Sequence, residues 1–192
     1  MILPDIALGL LWIVWFASWI AAAFWSRSTE RRPGFGSEAL YRIVTIAGAV
    51  MLFPSTRLHP GLIRFWYTSD TAAWALVGVA FCGFLFTWWA RIHLGSLWSG
   101  WVTKKADHRV VDTGPYAIVR HPIYTGLLLG VFATAAMKGT LLALAGAGVM
   151  TIGFWIKARL EERFLRQELG AGDYDAYRRR VPMLIPFGPK AA

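Results

Sequence analysis

Residues 108–124 read HRVVDTGPYAIVRHPIY and lead directly into an apolar run. The stretch is too polar and too punctuated to be a plain connector. Gly114-Pro115 sets a turn. Pro122 suits the first turn of a helix, where the amide hydrogen it lacks would go unpaired anyway. Arg120 and His121 are thereby fixed at a helix entrance at the membrane surface. Free N–H groups and positive potential at such an entrance suit a carboxylate or phosphate, and Tyr116 and Tyr124 can flank a planar ring. Interfacial anchoring is the competing reading for an Arg-His-Pro at a span boundary. A second stretch, 157–187, reads KARLEERFLRQELGAGDYDAYRRRVPMLIPF. As a helix leaving the membrane, it sets Glu161 and Glu162 at pairing distance from Lys157, Arg159 or Arg166, which is the plain reading. Set beside an Arg/His helix entrance, the same acidic pair suits both ends of a zwitterion.

These two stretches work together only if the elements between them bring them close. Apolar spans are expected at 6–25, 40–53 (cut by Pro54), 72–90, 123–137 and 140–156. The first is read as a retained helix because no basic segment precedes it. The last two, separated only by Lys138-Gly139, read as a tight antiparallel hairpin. Gly126, Gly130, Gly146, Gly148 and Gly153 would let the backbones approach closely. Such a hairpin returns the end of span five to the start of span four, so Glu161 and His121 should be neighbours. The expected fold is an all-α membrane protein of about five transmembrane helices, with a C-terminal helical hairpin and a cytoplasmic cofactor pocket. Residues 1–192 form one integral membrane domain, with a three-helix part at 1–93 and the loop, hairpin and C-terminal helix at 94–192.

Composition agrees: 56% of residues are hydrophobic, mean hydropathy is +0.46, and 11 of 192 are Trp, which is rare for a soluble domain. Lys and Arg distribute unevenly. Arg27, Arg31 and Arg32 follow span one; Arg91, Lys104, Lys105, Arg109 and Arg120 follow span three; Lys157, Arg159, Arg163, Arg166, Arg178, Arg179, Arg180 and Lys190 follow span five. The opposite connections hold only Arg57, Arg64 and Lys138. Retention of basic residues on the cytoplasmic side puts the N-terminus outside and the C-terminus inside. The net charge of +9 is spread over loops beside spans with no groove-reading module, so anionic lipid headgroups, not nucleic acid, are the expected partner. Trp98, Trp101, Trp66 and Tyr67 fit interfacial belts. A lone Cys82 in an apolar run gives neither a disulfide framework nor a cysteine-based metal site.

In the order His108-Arg109-Val110-Val111, Gly114-x-Tyr116, Arg120-His121-Pro122-x-Tyr124, Glu161-Glu162 with Gly170, then 177–187, the chain resembles the isoprenylcysteine carboxyl methyltransferase family, which is related to the phospholipid methyltransferases. The resemblance covers roughly 94–187 and implies an S-adenosylmethionine site without a Rossmann domain. It implies that His108, Arg109, Val110, Val111, Gly114, Tyr116, His121, Pro122, Ile123, Tyr124 and Glu161 bind that cofactor, and that Arg120 and Glu162 act at the reacting groups. The helix entrance at His121 suits the methionine carboxylate, Glu161 its ammonium, and the Val and Tyr side chains the adenosine. The implied reaction is direct transfer of the sulfonium methyl to a lipidic, membrane-resident acceptor such as a prenylcysteine carboxylate, a phospholipid headgroup or another lipid.

Lys157 stands where that family has a substrate-contacting arginine. Lysine keeps the charge but lacks the planar fork that matches a carboxylate, which favours a lipid phosphate, an amine headgroup or a phenolic lipid over prenylcysteine. Two other classes compete. A membrane reductase of sterol-like substrates would need room for NADPH, and the loop is compact. A non-enzymatic structural or transport protein would place ionisable residues deep in its spans, where only Arg42, near a span end, is found.

Overall fold

A backbone surrounded by lipid must satisfy its own hydrogen bonds, so long apolar runs coil into helices. The computed structural model describes residues 2–23, 35–53, 63–95, 110–169 and 171–190. Among them lie α1 (Ile2–Ala23), α2 (Phe35–Leu52), α3 (Asp70–Leu94), α4 (Pro122–Lys138), α5 (Leu141–Leu169) and α6 (Ala171–Arg180), with a single 3-10 turn at Gly114–Ala117. Each visible boundary has a local cause. The Ser69 side chain accepts from Ala72 N–H at the start of α3, Pro122 opens α4, and Gly139 ends α4 in the left-handed region at φ 62°.

Among the described residues, three helical stretches are long and apolar enough to cross a membrane: Leu3–Ala22, Asp70–Leu94 and Leu141–Gln167. Pro122–Lys138 is apolar but shorter. The five full spans expected from hydropathy therefore become three, or four with α4. The second expected span differs most. Its helix begins at Phe35 and carries Glu38 and Arg42, which pair with each other one turn apart. That mutual pairing lets the helix run through residues at which a hydropathy window stops. At the other end of the chain, α5 continues past the expected end of its span as one rod to Leu169.

Close helix contacts are made through glycine, though not within the hairpin. A Cβ on Gly83 or Gly126 would collide with the other residue's carbonyl oxygen, so α3 and α4 touch backbone to backbone. Gly146 meets Gly48 of α2 in the same way, and Gly153 meets Thr45. Gly130 packs against Phe84, whereas Gly148 faces open space. The glycines of α4 and α5 thus serve their outer neighbours, α3 and α2. In turn α1 lays Leu8 and Trp15 against Val77, Ala80 and Phe84 of α3. Indole N–H groups are satisfied across helices, Trp15 Nε1 to Thr87 Oγ1 at 2.7 Å and Trp12 Nε1 to Thr134 Oγ1 at 2.9 Å.

The outer surface is apolar. Leu10, Ile13, Phe16, Ile43, Ile46, Val50, Trp74, Phe81 and Ile152 are all exposed, an arrangement that suits lipid and not water. Cys82 is exposed on the same kind of surface.

Candidate active site at the open end of the hairpin

The residues before α4 fold tightly because Gly114 takes φ 58° and leaves no room for a Cβ against the His93 ring. The turn buries Tyr116, whose ring stacks near His93 with centroids 6.3 Å apart. Arg120 and His121 then run as a short extended pair beside the C-terminal segment: Arg120 N–H donates to Pro182 O (2.8 Å) and His121 N–H to Met183 O (3.1 Å). Fully buried Pro122 follows and starts α4. Thr125 Oγ1 adds a bond to Leu184 O at 2.6 Å. Arg120 and His121 are therefore set by backbone on one side and by a helix start on the other.

The α4–α5 turn returns Glu161 and Glu162 to this point, and His121 lies between them as the hairpin requires. Its Nδ1 is 3.4 Å from Glu161 Oε2 and its Nε2 is 3.3 Å from Glu162 Oε1. Burial lowers the His121 pKa, but the two carboxylates more than offset this and hold it above the ordinary value, so the ring is charged over a wider range. The ring stacks on Tyr124 at 5.4 Å, and Tyr124 stacks in turn on Phe154 at 5.4 Å.

The two glutamates have different surroundings. Glu162, 2% exposed, is enclosed by Arg120 Nε at 2.7 Å and Arg178 Nε at 3.2 Å. Arg120 also donates to the carbonyls of Arg178 and Val181, which closes a buried network between α5, α6 and the α4 entrance. Glu161 is more open: the Tyr124 hydroxyl donates to it at 2.5 Å, and Lys157 Nζ is 4.0 Å away. Lys157 sits between the Tyr124 and Tyr41 rings, 5.3 and 5.5 Å from their centroids. Arg166 and Arg159 do not pair with the glutamates. Arg166 binds Asp175 at 2.7 Å and Arg159 covers Trp155.

Of the residues singled out from sequence, Arg120, His121, Tyr124, Lys157, Glu161 and Glu162 thus form one connected cluster. Ile123 packs into the core between α4 and α5. Val110 packs against Tyr174, Tyr177 and Val181, and Val111 is half-buried beside it. Gly114 and Tyr116 are tied to α6, since Tyr177 Oη donates to Tyr116 O at 2.8 Å and Arg180 reaches Asp112 at 2.9 Å. Burial pushes the Tyr116 and Tyr177 phenols up, so the Tyr177 hydroxyl remains a donor. His108, Arg109, Lys104, Lys105, Trp98, Trp101, Arg27, Arg31 and Arg32 lie outside the described residues.

Sequence reasoning missed Tyr41, Phe154 and Arg178 as members of the cluster. Only Arg178 left a signal, being inside the last motif. Tyr41 was hidden because nothing in the order of motifs says which helix packs beside α5.

The cluster offers three features that a ligand with both an ammonium and a carboxylate could use. Glu161 is a partly open carboxylate for an ammonium. The first turn of α4 presents backbone N–H groups that no preceding turn can satisfy, and Tyr124 supplies an aromatic face. Residues 76–167 match the model of the isoprenylcysteine carboxyl methyltransferase (ICMT) family. The chain is 35% identical to methanethiol S-methyltransferase 2 of Bradyrhizobium diazoefficiens over 155 residues, covering 74% of this chain and 58% of that one. It is 31% identical over 98 residues to the cobalt-zinc-cadmium resistance protein CzcN of Cupriavidus metallidurans, 48% of this chain and 43% of the other. It is 34% identical over 87 residues to protein-S-isoprenylcysteine O-methyltransferase B of Arabidopsis thaliana, 45% of this chain and 44% of the other. The chain spans about half the length of these curated relatives. The family match falls on α3 to α5, and over that half the chain is similar to the isoprenylcysteine carboxyl methyltransferase family.

Proposed function

We propose that the protein is an integral membrane methyltransferase that uses S-adenosylmethionine to methylate a lipidic or small apolar acceptor at the membrane surface. The observation that carries this reading is the placement of His121 and the α4 entrance against Glu161 at the open end of the hairpin. When bound, S-adenosylmethionine supplies an activated methyl group on a sulfonium. The chain's own residues then have to bind, orient and exclude water.

Glu161 pairs with the ammonium, the first turn of α4 receives the carboxylate, and Tyr116 and Tyr124, with Val110 and Val111, provide apolar and aromatic surface. The family resemblance assigns His108 and Arg109 to the cofactor as well. Gly114 and Pro122 shape the turn and the helix entrance, and Ile123 seats the helix on its neighbour. Arg120 and Glu162 hold the entrance to α5 and α6 as a rigid support for the reacting groups. Lys157, at the junction of α2, α4 and α5, faces the acceptor. As a point charge it suits a thiol, phosphate or amine better than a planar carboxylate. Among the relatives, one is named for a thiol, methanethiol, and another for isoprenylcysteine. A cytoplasmic position for this end and the C-terminus is supported by the excess of basic residues beside it.

Calorimetric titration of the detergent-solubilised protein with S-adenosylhomocysteine and, separately, with NADPH tests the reading. Binding of the first alone is expected. Binding of NADPH alone would replace methyl transfer by a reductase.

A further inference from the structure

Methyl transfer as proposed leaves one buried carboxylate unused. Glu38, near the start of α2, is 3% exposed. It lies on the helix face Glu38, Tyr41, Thr45, Gly48, Leu52, spaced by three and four residues. That face meets α5 in antiparallel register, Gly48 against Gly146 and Met150, Thr45 against Gly153, Tyr41 against Lys157. One turn further along, the register brings Glu38 level with Glu161, and the Tyr41 phenol is within electrostatic reach of both carboxylates.

Arg42 holds Glu38 Oε2, whereas Glu38 Oε1 is buried without a hydrogen-bond partner. A pair serving only helix stability gains nothing from burial. A carboxylate oxygen withdrawn from water without a donor costs stability, and such an atom calls for a missing partner. Resting on the methyl-transfer reading, we infer that Glu38 is the acceptor-side residue of the site and takes the proton of a thiol acceptor.

The class of acceptor follows from proton affinity. Among nucleophiles that must lose a proton, a thiol at about 8.5 lies nearest a carboxylate, with phenols at about 10 and amines at about 10.4. The groups around Glu38 and the adjoining Tyr41 also favour a thiolate: Arg42 pairs with Glu38, Lys157 of α5 lies over the Tyr41 ring, and Tyr124 of α4 gives its hydrogen to Glu161. A carboxylate acceptor would bring no proton to Glu38 and would meet it as a second anion. In the step, the S–H proton passes to Glu38 Oε1 and a new S–CH3 bond forms. The sulfonium C–S bond breaks, and its electron pair stays on the donor sulfur as a neutral thioether. The proton leaves Glu38 for water after product departs.

Hexanethiol and hexanoate serve as probes on the full chain in detergent. The wild type should methylate the thiol and not the carboxylate. Glu38→Gln should lower the thiol rate about 100-fold at neutral pH, recover as pH rises through about 8.5, where the thiol ionises unaided, and keep wild-type affinity for S-adenosylhomocysteine. Calorimetry of hexanethiol binding to protein saturated with S-adenosylhomocysteine, in buffers of different ionisation enthalpy, gives a second readout. The wild type should retain the proton, and Glu38→Gln should release it to buffer or bind more weakly.

A Glu38→Gln variant with the wild-type rate and pH profile overturns the inference. So does release of the thiol proton to buffer by the wild type on binding hexanethiol, a readout that serves if Glu38→Gln does not fold. Failure of the wild type to bind S-adenosylhomocysteine overturns the underlying methyl-transfer reading and this inference with it. Loss of thiol chemistry with intact cofactor binding overturns the inference alone.

Discussion

The two ends of the α4–α5 hairpin are held by different chemistry. At the closed end, residues 63–68 cross the turn: Phe65 N–H donates to Gly139 O (2.8 Å), Leu141 N–H to Ile63 O (2.9 Å) and Trp66 Nε1 to Ala136 O (2.9 Å). Thr68 Oγ1 lies 3.2 Å from both Ala136 O and Met137 O. These fastening bonds are between neutral groups, with Arg64 and Lys138 beside them, and each satisfies a helix end that would otherwise lack partners. At the open end the same two helices are joined by Arg120, His121, Glu161, Glu162 and Arg178. A hairpin needs only the first kind of fastening. The buried charge network at this end supports the proposed ligand reading, with Glu161 the more open carboxylate and Glu162 the enclosed one.

The largest expected effect breaks the open end. Glu162→Ala leaves Arg120 buried without its carboxylate and should cost about 3–5 kcal/mol of stability, read by denaturant unfolding in detergent. A cost under about 1 kcal/mol, typical of a surface pair, would put that network in the wrong class. Tyr124→Phe removes the donor to Glu161 and should cost about 1.5–3 kcal/mol, as for hydrogen bonds to charged groups, with weaker S-adenosylhomocysteine binding in calorimetry. At the closed end, Thr68→Val should cost about 1 kcal/mol in thermal unfolding and leave cofactor affinity unchanged. Equal effects on affinity from the two ends would erase the distinction.

The smallest effect is in pH. His121 is raised in the folded state, so its stabilising contribution is complete below the unfolded value of about 6.5 and is lost as pH rises through the higher folded value. Wild-type melting temperature should therefore fall across that window. His121→Gln should flatten the decline, which a pH series of thermal melts will show.

Much of the open end is legible in the sequence because its parts are local. Gly114-Pro115, Pro122 and the Lys138-Gly139 turn each act on their own neighbours, and the hairpin between them brings His121 to Glu161 without knowledge of any other helix. The role of α2 is not legible. Glu38 lies just outside the apolar window, so the helix reads as starting five residues late, and the pairing with Arg42 that cancels its charge needs the helix to exist first. The glycines show a related limit. Their spacing marks close approach, but only packing reveals that Gly126 meets Gly83 of α3 and Gly146 meets Gly48 of α2. Trp66 read as a belt residue, yet its indole also satisfies a carbonyl of α4, a contact 70 residues away in sequence.

The central claim is that Glu161, not the hairpin as a whole, receives the cofactor's ammonium. Calorimetric titration of S-adenosylhomocysteine into wild type and Glu161→Gln, matched for melting temperature, tests it most directly. The account predicts binding to the wild type and a loss of about tenfold or more in Glu161→Gln, which corresponds to about 1.4 kcal/mol or more. Equal affinities in two folded proteins would contradict it.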